Sequence, residues 1–468
     1  MPTSPSSDDP AAFDRDDRFA AALSVGGRRD HGDASNTGGT PAHSGAACPA
    51  LPSLGNQVGL ALMAACIIVN DASFRVADPN EVSLDWQTAL RLAICGLCGG
   101  YAVLNLPRAL ASLGRFPMVW LLLFAGWAVV TLPFAVEPLY ASTACAAMVS
   151  MALFAAAIVA RIPGEAIVKT IVGSVVLLSI GCWIAQFTRP ELGQPDYLTP
   201  GHEPPGWRLG GLMHPNGLGA HCALALGMLL VGRMTWKWRW PSVFALGALF
   251  GVTLLCTVSR TSCLMVAALG ASLAVRKAPG PLALAFAGLA GLVLAGEAAG
   301  TDWARLMTGL TRESALDEIY TLTGRTDLWE TAIEYIRQSP IWGHGYGCSR
   351  YLFLEAADFP ATHPHNQFLD TAVETGLVGA IIEAAMFFAL ARRLIWRPCS
   401  FPDTVLVLIA VMGIAECPVF NPLPEAMTLS WMLALGWRRE ESSSADDGTL
   451  AEPLLEGVGS PEGHRRLS

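Results

Sequence analysis

The chain has 468 residues, 52% of them hydrophobic and only 15% charged. That balance departs from soluble globular proteins in the membrane direction. The formal net charge of −9 speaks against a nucleic-acid binder, which needs clustered Lys and Arg to meet phosphates.

Residues 1–50 are polar and rich in Ser, Asp, Gly and Pro, so they read as a disordered cytoplasmic tail with no signal peptide. A bilayer core calls for roughly 20 predominantly apolar residues per helix. Twelve stretches qualify: 55–74, 88–106, 117–136, 140–160, 166–187, 212–232, 241–258, 261–276, 281–299, 367–391, 403–417 and 424–437, the last two being short. Residues 438–468 form a second disordered cytoplasmic tail. The predicted fold is all-α, a polytopic membrane helix bundle of about 12 transmembrane helices over 51–437, with a large, partly helical outer loop over 300–366. The twelve cysteines show no secreted disulfide pattern. Cys66, Cys182, Cys222, Cys256 and Cys263 lie in apolar runs, and Cys95 and Cys98 form a CxxC inside a span, where they read as packing residues rather than zinc or redox groups.

The Lys/Arg bias of the short loops sets orientation. Arg108 and Arg115, Arg161, Arg233 with Lys237 and Arg239, Arg276 with Lys277, and Arg392, Arg393 and Arg397 fall in one alternate set of loops. By this rule that set is cytoplasmic, and both termini are too. Trp236, Trp238 and Trp240 sit among these positives as interfacial anchors. Two outer loops are long, 188–211 and 300–366, and loops longer than about 15 residues are functional or disordered. Within the second, "TDLWETAIEYIRQSP" puts Trp329, Ile333 and Ile336 on one stripe. Pro340 ends the pattern, and Asp327 with Glu330 resembles a capping pair. The loop is expected to fold as a small helical cap.

The outer face gathers a set of polar residues. Arg208 precedes "HPNGLG", which holds His214 and Asn216; Arg260 sits in "TVSRTS"; Arg325 sits in "LTGRTDLW"; His363, His365 and Asn366 stand before span ten. An arginine at membrane depth is costly and faces a partner or a watery cavity. Its planar fork fits phosphate oxygens. Each arginine taken alone is also explained by a lipid headgroup or a nearby carboxylate. Three on one face with few acids favour a shared anion, such as an anionic lipid phosphate. An imidazole titrates near neutral pH and can take a proton from a sugar hydroxyl. Structural roles compete with that one for His363 and His365, as they do for Asp370 and Glu374 one turn apart on span ten. Metal ligation by His-x-His lacks a completing acid in the sequence, so no metal and no cofactor are expected. Glu383, deeper in span ten, and Glu416, near an outer end, each call for a partner that the sequence does not name. "GHGYG" at Gly343 follows a helix rather than a strand, so it reads as a tight turn and not a nucleotide loop. The glycines after His214 read as helix-packing positions.

The segments from Arg208, around Arg260, from Thr323 to Gly347 and from His363 together resemble the bacterial O-antigen ligase and O-antigen polymerase family of membrane glycosyltransferases. The resemblance covers roughly residues 200–395, in matching order, with a long outer loop before the histidines. It implies metal-independent transfer on the periplasmic face of the bacterial inner membrane. The donor would be a glycan on undecaprenyl diphosphate. The acceptor would be a sugar hydroxyl, on a saccharide or lipid A core. Carried over by residue, Arg208 and Arg260 would bind the diphosphate, and Arg325 the diphosphate or donor glycan. His365 would activate the acceptor, with His363, Asn366, His214, Asn216, Trp329 and Asp370 as candidate substrate contacts. Membrane lipids and polysaccharide export or chain-length proteins are candidate partners. The family also includes exopolysaccharide polymerases and protein-glycosylating enzymes. Polymerisation of an exopolysaccharide or O-antigen is favoured here, with ligation close behind. A twelve-span secondary transporter or flippase is the competing reading. It predicts two similar halves and a midplane site, whereas here the halves look unequal and the polar candidates share one face.

Overall fold

The computed structural model of the protein describes residues 53–74, 85–189, 192, 208–277, 325–356, 361–394 and 400–437. In chain order these form α1 (Leu54–Asp71), α2 (Trp86–Leu104), α3 (Leu106–Leu113), α4 (Val119–Val130), a 3-10 turn (Leu132–Phe134), α5 (Pro138–Arg161), α6 (Gly164–Thr188), α7 (Pro215–Thr235), α8 (Trp240–Cys256) and α9 (Arg260–Lys277). They continue with α10 (Arg325–Gln338), α11 (Ser349–Ala356), α12 (Gln367–Leu394), α13 (Phe401–Met412) and α14 (Ala426–Gly436). No strand occurs among the described residues. Among the described residues six helices are long and apolar enough to cross a membrane by length and composition, α1, α2, α5, α6, α7 and α12, although α12 is interrupted at Gly376. The expected all-helical bundle is what the described residues form, and its other apolar helices are shorter: α4, α8, the stretch Thr261–Ser272 of α9, α13 and α14. The span expected at 281–299, both tails and most of the loop at 188–211 lie outside the described residues.

Local chemistry explains several boundaries. Proline at the first helical position starts α5 and α7, where the missing N–H costs nothing. Asp85 accepts from the Thr88 N–H and caps α2. Ser400 and Asp403 form a reciprocal capping box on α13. The stretch read as one span over 117–136 is a 12-residue α4 followed by the 3-10 turn at Pro133. The span read over 403–417 ends at Met412, which leaves Glu416 in a turn rather than a helix. Helix α10 starts at Arg325, so Asp327 sits in its first turn and is not the residue before it.

The largest departure is α12. In a continuous helix, the nineteen positions from Phe368 to Phe387 would span roughly 28 Å. Their ring centroids are 5.1 Å apart. The helix therefore breaks and folds back, and the break is Gly376, with φ 69° and ψ 179°. Only glycine adopts that region readily, and a Cβ there would lie 2.0 Å from the Ile341 carbonyl oxygen. Residues 367–375 and 377–394 are thus two legs of a helical hairpin, where one continuous span over 367–391 was expected. The glycine-rich turn at Gly343 clamps the hairpin tip. His344 N–H donates to the Val373 carbonyl at 2.9 Å, Gly345 N–H to Glu374 at 2.9 Å, and Leu377 N–H to Pro340 at 2.8 Å. Trp127 of α4 adds an indole N–H bond to the Thr375 carbonyl at 2.8 Å.

The main core joins α1 to α9 with α13, α14 and the second leg of α12. Close packing relies on small residues, as between membrane helices generally. A Cβ on Gly219 of α7 would meet Ser262 Oγ of α9 at 2.6 Å, so the packing role read for that glycine is what the fold uses. A separate small cluster of Leu328, Ala332, Phe353, Ala361 and Val373 binds α10 and α11 to the first leg of α12.

Candidate functional site

The first leg of α12 begins beside the turn that follows α13. Gln367 makes the joint. Its N–H donates to the Gly413 carbonyl at 2.8 Å, and its side-chain oxygen accepts from the Val419 N–H at 3.0 Å. This joint brings Glu416 to His365, 51 residues earlier in the chain. His365 Nδ1 lies 2.9 Å from Glu416 Oε2. His365 has φ 50°, an uncommon value for a residue with a side chain, and such strain gathers at functional positions.

Glu416 is the hub of the site. Its Oε1 accepts from Arg325 at 3.2 Å and from the Asn216 side-chain amide at 3.1 Å. Asn216 in turn accepts from Arg208 at 2.9 Å, and Arg208 Nε donates to the Thr257 carbonyl at 3.0 Å. Burial works against charge on Glu416, but the His365 hydrogen bond and the surrounding positive charges, Arg325 among them, hold its carboxyl down at about 2. An ionised carboxylate only accepts hydrogen bonds. His365 Nδ1 therefore carries a proton, and whenever the ring is neutral Nε2 keeps its lone pair. Nε2 meets no hydrogen-bond partner among the described residues. The arrangement can take a proton at Nε2 while Glu416 steadies the ring, with guanidinium charge close by.

The remaining candidates occupy distinct places. The His363 ring lies 4.2 Å from the His365 ring, and its Nδ1 accepts from the His365 N–H at 3.2 Å. Burial disfavours charge on His363, a protonated His365 and Arg325 would add repulsion, and its pKa is pushed down to about 3 despite Glu416. His363 is therefore neutral in ordinary buffers. Trp329 donates to the Pro364 carbonyl at 3.0 Å, which fixes the histidine turn on α10. Asn366 caps the first leg through Leu369 N–H at 3.1 Å. His214 caps α7 through Asn216 N–H at 3.2 Å and is exposed. Asp370 accepts from Ser349 Oγ at 2.6 Å. Arg208 is only 5% exposed and is engaged by protein acceptors. Arg260 opens α9 beside Ser259, but its side chain lies outside the described residues. Its neighbour Ser262 Oγ lies 3.5 Å from the Asn216 carbonyl, so the start of α9 adjoins the network.

Residues 209–383 match the family model described as O-antigen ligase. The exopolysaccharide production protein ExoQ of Rhizobium meliloti (strain 1021) is 31% identical over 120 residues, a match covering 22% of this chain and 28% of that protein. The findings support the O-antigen ligase and polymerase family. The chain is thus similar to O-antigen ligase/polymerase-type membrane enzymes, and its matched part spans well under half of the exopolysaccharide relative. The segment matched to the ligase family holds Asn216, Arg260, Arg325, His363 and His365. Arg208 precedes it by one residue and Glu416 follows it, so the hub carboxylate comes from outside the matched region. Sequence reasoning flagged Glu416 as a carboxylate in need of a partner but did not pair it with His365. The available signal was an acid just beyond a short apolar helix, next to Cys417 and Pro418.

Proposed function

We propose that the protein is a membrane glycosyltransferase that moves a glycan from undecaprenyl diphosphate to a sugar hydroxyl during surface polysaccharide assembly. The observation that carries the reading is the chain of contacts from His365 through Glu416 to Arg325 and Asn216. In this reading the acceptor O–H gives its proton to His365 Nε2. The oxygen forms a bond to the anomeric carbon, the bond from that carbon to the diphosphate breaks, and the electron pair leaves with the diphosphate. Fixed positive charge from Arg325 and Arg260 stabilises the departing anion. Arg208, nearly buried, acts by holding Asn216 and the Thr257 turn and by adding its charge. The donor is already activated, so the step needs no metal or cofactor. Trp329 supports the histidine turn through Pro364 and Asp370 holds Ser349, while Asn366 and His214 hold the two helix starts.

The loop charges support a site facing the periplasm, with both termini in the cytoplasm of a bacterial inner-membrane protein. The name of the relative from Rhizobium meliloti favours exopolysaccharide polymerisation over ligation to lipid A core. The match to the ligase family weighs against the transporter reading. The test is transfer by the purified protein in lipid, with lipid-linked glycan as donor and a second lipid-linked saccharide as acceptor. The expected result is longer lipid-linked chains from wild type, almost none from His365→Ala, and no loss of product when EDTA is added. Full product from His365→Ala would end the assignment of His365 as the base.

A further inference from the structure

Outside the proton-transfer argument, the same turn presents an unused combination of donors. His363, His365 and Glu416 each offer one ligand atom, and these atoms lie within 4.8 Å of one another. All three residues are half-buried, and two separate chain segments supply them. Such a set is assembled by the fold rather than by chance exposure. Two imidazoles and one carboxylate suit zinc, cobalt, nickel or copper ions, whereas magnesium and calcium prefer all-oxygen sites. Zinc–nitrogen bonds of about 2.0–2.1 Å put tetrahedral donors roughly 3.3 Å apart, so the three need close by only about 1–1.5 Å. Cys417 adds a soft donor within reach, its Sγ lying 3.6 Å from His363 Nδ1. Arg325 opposes a cation here, but it engages Oε1 of Glu416 and leaves Oε2, the oxygen facing His365.

We propose that His363, His365 and Glu416 bind one divalent transition-metal ion of the zinc type, and that this ion blocks the proposed transfer. The blocking half rests on the reading of His365 as the acceptor-side base; the binding half does not. The logic of the block is tautomeric. In the free site the His365 proton sits on Nδ1, facing Glu416. An ion bound to Nδ1 sends that proton to Nε2, with no net proton lost. The nitrogen that would accept the proton of the sugar hydroxyl then already carries one. The ion also ties up Glu416 and brings a second positive charge beside the acceptor. The site is inhibitory, so the chemistry itself proceeds without metal.

Cobalt is the probe for binding, because it replaces zinc and absorbs visible light when bound by nitrogen and sulfur. The tag-free, full-length protein in detergent is dialysed against Co2+, and bound metal and visible spectrum are read together. The expected result is one ion per chain, displaced by Zn2+. His363→Gln should weaken binding at least 10-fold, and Glu416→Gln is the second variant should the first fold poorly. His214→Gln, at an exposed histidine, should bind as wild type does. Absence of stoichiometric binding, or equal binding by His363→Gln and Glu416→Gln with native melting curves, would overturn the site. Zinc should then inhibit wild-type transfer, and at least 10-fold more should be needed for His363→Gln. Bound zinc that leaves transfer unchanged, or raises it, would overturn the block. Protein that binds cobalt as expected but shows no transfer even without metal would count against the glycosyltransferase reading and leave the site standing.

Discussion

Two histidine–carboxylate pairs stand among the described residues, and they are alike in chemistry but not in circumstance. His365 and Glu416 meet at 2.9 Å, with side chains 28% and 13% exposed. His221 of α7 and Asp71 of α1 meet at 3.1 Å, with side chains 4% and 1% exposed. In the sealed pair the other imidazole nitrogen is taken by the Gly217 carbonyl at 2.7 Å, and Asp71 also accepts from the Ala426 N–H at 3.0 Å. The contact itself lacks the alignment of a hydrogen bond. In the sealed pair one nitrogen is thus spent inside α7 and the other faces Asp71 of α1, which in turn holds the start of α14. In the open pair, Nε2 of His365 meets no partner among the described residues, and Glu416 leads on to Arg325. A histidine beside an acid is not in itself a site; in the proposed reading a free nitrogen, access and a neighbouring charge for the leaving group make it one.

The strongest way to break that contrast is to remove each histidine in turn. His365→Ala should lower specific transfer by roughly 10²–10⁴-fold, the usual contribution of a general base, while the amount of folded protein stays near wild type. His221→Ala should do the reverse, cutting the yield of folded protein while each surviving molecule keeps its activity. Specific activity per folded chain, by size-exclusion peak, separates the two. A His221→Ala protein that folds normally yet transfers as poorly as His365→Ala would erase the distinction.

Next in size is the acid of the sealed pair. Removing one partner of a buried ion pair costs about 3–5 kcal/mol, because the other charge is left without compensation. Asp71→Ala should therefore unfold far below the wild-type temperature, and Asp71→Asn should suffer less because its amide still packs. Thermal unfolding in detergent reads this directly. Wild-type melting in Asp71→Ala would mean that the pair is a bystander.

For the open pair, Glu416→Gln should reduce turnover roughly 10–100-fold, the usual effect of losing a group that orients an imidazole. KM for the acceptor should change little, since Glu416 touches the base and not the sugar. Glu416→Asp keeps the charge and should recover part of the loss. A pure KM effect would reassign Glu416 to substrate binding.

These contrasts also show what the chain discloses by itself. Apolar length marked most of the helices, because a bilayer-spanning segment must satisfy its own backbone. The chemistry of Arg208, Arg325, His363 and His365 marked candidates that the fold gathers around Glu416, since charges near apolar helices demand a reason. The hairpin was not legible: residues 367–391 contain enough apolar length for a span, and one interior glycine, costing only about 1 kcal/mol against alanine, looks tolerable. Gly376 matters because of what it touches, Ile341 and Trp342, on a turn 35 residues earlier. Both acid partners were hidden for the same reason. Glu416 meets His365, and Asp71 meets His221, across long separations that no local period encodes.

The smallest effect falls on Glu425, where the sealed pair meets the turn that carries Glu416. Burial disfavours its charge and Asp71 repels it. His221, Arg91 and the Asn421 amide pull the other way, and its pKa is pushed up to about 7. A carboxyl whose folded pKa is raised adds stability that is fully present below its unfolded value, near 4.3. That stability is lost as pH rises through about 7 in the folded protein. Wild type should therefore melt lower at pH 8.5 than at pH 5.5, by roughly a few degrees for a contribution of this kind. Glu425→Gln cannot ionise, so its melting temperature should fall less over the same interval and exceed that of wild type at the alkaline end. Its transfer activity should stay close to wild type, because the open pair does not depend on it. Parallel pH–melting curves for the two proteins would show that Glu425 carries no such linkage. A matching loss of transfer would show that the sealed and open regions are one coupled site rather than two.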